Sequence, residues 1–178
     1  MNTLLVYLDA GDRLFSDRLA QWRSPRWFRA WMVAATRLGD GWLWAVLGIL
    51  LLLGGDWRGF FAASVACALA NIVMILLKRR FRRCRPRARA ANEFLDLVHA
   101  DLSSFDNFSF PSGHTINAFA IGTVIASLHP LLLPAMGFTA MSVGASRVVL
   151  RMHFVTDVLA GAALGIAIGC AICRCVQG

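Results

Sequence analysis

Residues 60–77 carry no charged side chain, and Asn71 is the one amide among them. In lipid such a stretch has one low-energy solution. It forms a helix that closes its backbone hydrogen bonds on itself and crosses the hydrocarbon layer, which takes roughly 20 apolar residues. A polar residue within a span faces protein or water, so Asn71 is expected to face a bundle. Further apolar runs cover 42–53, 115–128, 131–145 and 155–173. The first is short for a crossing and is expected to extend into its flanks. Turn residues separate the runs: Gly54-Gly55-Asp56 after the first, His129-Pro130 after the third. The expected fold class is all-α, a polytopic membrane helical bundle of five spans. In the last span Gly161, Gly165 and Gly169 recur every four residues, giving one face on which a neighbouring backbone can approach closely.

Ahead of these spans the pattern changes. Residues 1–24 mix Leu4, Leu5, Leu8, Leu14 and Phe15 with charges, as expected of an amphipathic helix at the membrane surface. Asp9 and Asp12 follow an apolar stretch too short for a cleavable signal. Ser24-Pro25 opens a second segment, closed by Gly39-Asp40-Gly41. With Arg29 and Arg37 inside it, that segment is either a short, tilted first span or a second surface helix. All six tryptophans lie from Trp22 to Trp57, as interfacial anchoring requires. The 178 residues read as one domain, with 1–38 the N-terminal helices and 39–178 the core.

Charge then narrows the partner. A chain 58% hydrophobic yet +8 in net charge, from 18 basic and 10 acidic residues, suits a membrane protein that meets anions. Nucleic acid is disfavoured, because the apolar runs leave no soluble basic face. All the basic residues but Lys78 are arginine. The five cysteines (67, 84, 170, 173 and 175) are odd in number and lack paired zinc spacing, so neither a disulfide framework nor a zinc site is expected.

Counting crossings from Phe60 puts Lys78, His114, Ser146 and His153 at one membrane face and Asp56, Arg58, His129 and Arg174 at the other. Three clusters therefore converge. Pro111-Ser112-Gly113-His114 is a turn feeding a helix, which aims backbone N–H groups at one spot and sets a titratable ring beside it. Lys78, Arg85 and Arg147 supply forks and a point charge for phosphate oxygens, and the N–H groups near Ser112 and Gly113 complete the cradle. His153 and Asp157, four apart, share a helix face. Asp157 either fixes the tautomer of His153 or merely complements the helix dipole. Arg79, Arg80, Arg82, Arg83, Arg87 and Arg89 read as a patch on anionic headgroups.

Lys78 with Arg85-Pro86, Pro111 to His114, and Ser146-Arg147 with His153 and Asp157 match K-x6-R-P, P-S-G-H and S-R-x5-H-x3-D in order and spacing. In these motifs the chain resembles the type 2 phosphatidic acid phosphatase (PAP2) superfamily of membrane lipid phosphatases, relatives of the vanadium haloperoxidases. The resemblance implies a bundle of that core type and a phosphohistidine mechanism. His153 would attack phosphorus, Asp157 would orient it, and His114 would protonate the leaving oxygen and later activate water. Lys78, Arg85, Ser112, Gly113 and Arg147 would hold the phosphate. No metal or cofactor is implied, and His99 and His129 are spare. Candidate substrates are phosphatidylglycerophosphate, phosphatidic acid and undecaprenyl diphosphate, with specificity expected in 87–110 and the N-terminal helices. A phosphotransferase using the same site is the alternative, and a non-catalytic lipid-binding protein is a third reading. The resemblance also implies a bacterial inner-membrane protein with its site on the periplasmic face.

Overall fold

The structure, a computed structural model, describes residues 3–86 and 108–177. Arg87, Arg89, His99 and most of the interval expected to carry lipid specificity lie outside the described residues. Seven α-helices make up the rest: α1 (Thr3–Gln21), α2 (Arg26–Gly39), α3 (Trp42–Leu53), α4 (Trp57–Phe81), α5 (Gly113–Leu128), α6 (Leu133–Val149) and α7 (Val155–Gln177). A 3-10 turn, Pro130–Leu132, leads into α6.

The bundle is organised around α5, which packs against α4, α6 and α7. Ile116, Ala120 and Val124 of α5 form one core with Ala62, Ala66 and Ala70 of α4 and Cys173 of α7. The alanines recur every fourth residue, so α4 presents a flat small-residue face to its neighbour. The glycine face of α7 does the same more sharply. A Cβ at Gly165 would stand 2.5 Å from the Ile116 carbonyl oxygen, and one at Gly169 would stand 2.6 Å from the Thr123 Cβ. Large side chains left outward, such as Phe61, Leu69, Leu76, Phe138 and Leu159, are exposed, as lipid-facing residues must be.

Among the described residues, three helical segments are long and apolar enough to cross a membrane: α4, the run Pro130–Val149, and α7. α2 and α3 pass the same test together as one span bent by 56°. Of the five spans expected from sequence, three or four meet this test of length and composition among the described residues. α5, with 16 residues, reaches only roughly 24 Å, short of a hydrocarbon layer of about 30 Å. Its shortness has a physical reason. Protein rather than lipid surrounds it, so its ends need not reach the headgroups.

The bend between α2 and α3 falls at Gly41, whose φ of 112° is open to glycine at little cost. α2 lies along α6, with Trp31 stacked on Phe138 at 5.7 Å and 11° between ring planes. Gly39 ends α2 so close to the bundle that a Cβ there would meet Val143 at 3.0 Å and the His114 ring at 3.3 Å. This close approach sets Asp40 beside His114.

Candidate active site

The three sequence clusters meet at one end of the bundle. Lys78, Gly113, His114, Arg147 and His153 line a single cavity of about 1540 Å³. Lys78 comes from the last turn of α4, Gly113 and His114 from the first turn of α5, Arg147 from the last turn of α6. His153 stands in the link before α7. Arg85 adds its charge near His153 without lining the cavity. Ser112 and Asp157 are fully buried behind it.

His153 is 2% exposed. Its Nδ1 lies 2.7 Å from the backbone carbonyl oxygen of Ser109. A carbonyl only accepts, so Nδ1 carries the proton, and in the neutral ring Nε2 keeps its lone pair. The ring is neutral at physiological pH. Burial pushes its pKa down to about 4, against the pull of Asp157 and with help from the Arg147 and Arg85 cations.

The resemblance implies that Asp157 orients His153; in the structure the carboxylate stands beside the ring while the Ser109 carbonyl accepts the Nδ1–H. The Asp157 carboxylate is 3.8 Å from Nδ1. Its oxygens are engaged elsewhere. Oδ2 accepts the Phe154 N–H at 2.9 Å and Oδ1 accepts from Arg83 at 2.8 Å. Asp157 thus closes the first turn of its own helix, in the manner of a capping box, and remains as a negative charge beside the ring. The Ser109 carbonyl holds the tautomer. No side-chain signal could have revealed it, because any residue at 109 offers a carbonyl.

Arg83 departs from the reading of the sequence. It does not lie in a headgroup patch. Its guanidinium bonds Asp157 and Thr156 at 2.8 Å each, Asp12 at 2.8 Å and Asp9 at 3.0 Å, and stacks over the Phe154 ring at 4.2 Å. Asp12 also accepts the Thr156 N–H at 3.2 Å. α1 is thereby tied to the start of α7, and its buried Asp12 is a structural anchor rather than a surface charge. Burial works against ionisation of Arg83, but the hydrogen bond it donates to Asp12 and the charge of Asp157 hold its pKa above the usual value.

Two further partners were not expected. Asp40, read as a turn residue, pairs with Nε2 of His114. Thr36 accepts from Arg147 at 2.6 Å, steadying a guanidinium that is 2% exposed. The cradle is also narrower than the sequence suggested. The Ser112 N–H donates to the Asp157 carbonyl at 3.1 Å, while Gly113 faces the cavity. The Ser112 hydroxyl accepts from Thr115 at 2.9 Å.

Away from these charges the cavity runs between α3 and α4, lined by Leu47, Leu51, Leu52, Phe60 and Ala63. From Lys78 to Phe60 it follows nearly the whole of α4, roughly 27 Å at 1.5 Å per residue. Cations at one end and an apolar slot of membrane depth below them fit an amphiphile with a charged head. Among the described residues, no three His, Cys, Asp or Glu side chains stand together as a metal-ligand set.

Comparison with known proteins bears on the same segments. A family model described as the PAP2 superfamily matches residues 59–178. Phosphatidylglycerophosphatase B of Bacillus subtilis is 31% identical over 177 residues, covering 89% of this chain and 80% of that protein. Decaprenylphosphoryl-5-phosphoribose phosphatase of Mycobacterium tuberculosis is 30% identical over 128 residues, covering 71% of this chain and 67% of that one. Among solved structures, a transmembrane PAP2-type phosphatidylglycerolphosphate phosphatase from Bacillus subtilis superposes with a TM-score of 0.76 at 27% identity, covering 96% of this chain and 87% of the other.

Proposed function

The chain belongs to the PAP2 superfamily and is an integral membrane phosphatase of that type, and from that premise we propose that it hydrolyses a lipid phosphate or lipid diphosphate through a phosphohistidine, without a metal. The observation that carries the reading is His153: buried, neutral, with Nδ1–H on the Ser109 carbonyl, in one cavity with Lys78, His114 and Arg147.

Nε2 of His153 attacks phosphorus. The bond from phosphorus to the lipid oxygen breaks, and His114 gives that oxygen a proton. The phosphorylated ring is cationic, and the Asp157 carboxylate and Ser109 carbonyl stabilise it. His114, now a base with Asp40 behind it, takes a proton from water. The water oxygen attacks phosphorus, the N–P bond breaks, and inorganic phosphate leaves. Lys78, Arg147, Arg85 and the Gly113 N–H carry the oxygens' charge through both steps, and Ser112 supports the loop that presents them. Phosphatidylglycerophosphate, phosphatidic acid and undecaprenyl diphosphate are the candidate substrates, their tails lying in the slot between α3 and α4.

The test is phosphate release from detergent-solubilised lipid phosphates in EDTA. Release should persist in the chelator and disappear in His153→Ala, and brief labelling should trap an acid-labile phosphate on the wild type alone. Full release by His153→Ala would sink the mechanism. We also read the chain as one domain with five crossings, counting bent α2–α3 once and including α5. The site end would face the periplasm of an inner membrane. A reporter fused after Gly178 lies at the opposite end, and a periplasmic signal from it would reverse that orientation.

A further inference from the structure

α6 ends in a turn whose geometry asks for glycine. The Met152 N–H reaches back to the Arg147 carbonyl at 2.9 Å, and the Arg151 N–H reaches the Val148 carbonyl at 2.9 Å. This is the hydrogen-bond pair of a Schellman motif, with Arg151 in the left-handed position that glycine fills at no steric cost. Arg151 sits there at φ 58°. The turn accounts for the backbone but not for the side chain that strains it.

Arg82, at φ 46°, offers the contrast. It caps α4, its side chain is exposed, and its Nε reaches the Arg79 carbonyl at 3.3 Å. Arg151 turns the other way. It lines the cavity two residues before His153, and its buried Nε has no hydrogen-bond partner among the described residues. A strained backbone and an unsatisfied buried donor beside a reacting group together point to a ligand contact.

The charge of the cavity says which ligand. Arg29, Arg37, Lys78, Arg147 and Arg151 line it, against Asp40 as the one carboxylate among the described lining residues. Asp40 is already paired with His114. Lys78 and Arg147, with Arg85 behind them, match one phosphate dianion. Arg151, with Arg37 at the end of α2, is cation in excess of that.

We propose that Arg151 binds a second phosphate group, carried by the substrate next to the phosphate that is cleaved. The inference rests on the lipid phosphatase reading and narrows it to substrates bearing two phosphates. The second group is either the far phosphate of a lipid diphosphate or the phosphodiester of a glycerolipid that ends in a phosphomonoester.

The test compares wild type with Arg151→Gly and Arg151→Asn, residues that tolerate the left-handed turn and so keep the fold. Three substrates separate the sources: phosphatidic acid with one phosphate, phosphatidylglycerophosphate with a diester and a monoester, and undecaprenyl diphosphate. Both variants should lose about tenfold or more in kcat/KM, through KM, on at least one of the two-phosphate substrates. On phosphatidic acid they should stay within about twofold of wild type. The substrate that loses identifies the group bound. Equal loss on all three, or no loss on either two-phosphate substrate, overturns the inference. Thermal unfolding with inorganic phosphate or pyrophosphate supplies an arm that needs no turnover. Pyrophosphate should stabilise wild type more than phosphate does, and the difference should vanish in Arg151→Gly. If wild type releases no phosphate from any lipid, the phosphatase reading fails, and an unchanged pyrophosphate shift in the variant then overturns the second-phosphate site as well.

Discussion

α5 ends in a histidine–aspartate pair at both of its termini, and the two pairs have different settings. At its start His114 meets Asp40 from the joint of α2 and α3. At its end His129 meets Asp56 from the joint of α3 and α4, at 2.8 Å. Each pair ties a terminus of α5 to a terminus of α3. Only the first opens onto a cavity with Lys78, Arg147 and His153. Asp56 instead caps α4 through the Gly59 N–H at 2.9 Å, and that bond, with His129, lowers its pKa. A histidine beside a carboxylate is therefore not a site in itself. Converging cations and a second imidazole make it one.

The contrast can be broken at several points. The largest effect is expected at the active end, where His153→Ala should lower kcat by a factor of at least about 1000, measured as phosphate release. His114→Ala should lower it by about 100-fold to 10,000-fold, the range of a lost general acid. Arg83→Ala should act on stability. It leaves Asp157 and Asp12 buried without their cation, which costs about 3–5 kcal/mol, read as a fall in the denaturation midpoint in detergent. His129→Ala should leave kcat within about twofold and cost no more than about 1 kcal/mol, since both partners are partly exposed. A loss of activity in His129→Ala comparable to that of His114→Ala would erase the distinction between the two ends.

Acidity sharpens the same contrast. Folding holds His153 near pKa 4, below the ordinary value of 6.5, so the unfolded chain takes up a proton that the folded chain refuses. Its contribution to stability is present above about pH 6.5 and declines as pH falls toward 4. Asp56, held below the ordinary carboxylate value of 3.8, gives way only at lower pH. Between pH 6.5 and 4 the unfolding temperature of wild type should fall more than that of His153→Ala. Parallel curves would mean that burial does not keep the proton off His153.

Much of this was legible in the chain. Period and length gave the helices, because lipid leaves a long apolar run no other form. Crossing parity put Lys78, His114 and His153 at one end and His129 and Asp56 at the other, and both groupings hold. The glycine face of α7 meets α5 as its spacing required. What escaped was whatever depends on the angle at which elements meet. Asp40 needed the bend at Gly41. Arg83 stood among arginines of like appearance until α1 folded back with Asp9 and Asp12. Ser109 acts through its backbone, and Arg151 stands out only once its φ is known. Residues that act by their own chemistry show in sequence, while those that act through a neighbour wait for the fold.

The glycines of α7 also decide what can vary. With glycine at each closest contact, the α7 backbone lies against the backbone and Cβ atoms of α5, so His114 and His153 are carried on what amounts to one stiff part. α2 and α3 touch that part from outside and meet at a hinge. Yet Asp40 and Thr36 reach from them to His114 and Arg147, so this outer wall cannot be exchanged without disturbing the charged end of the cavity. A graft of α2 and α3 from a relative should keep the reaction only where Thr36 and Asp40 are retained.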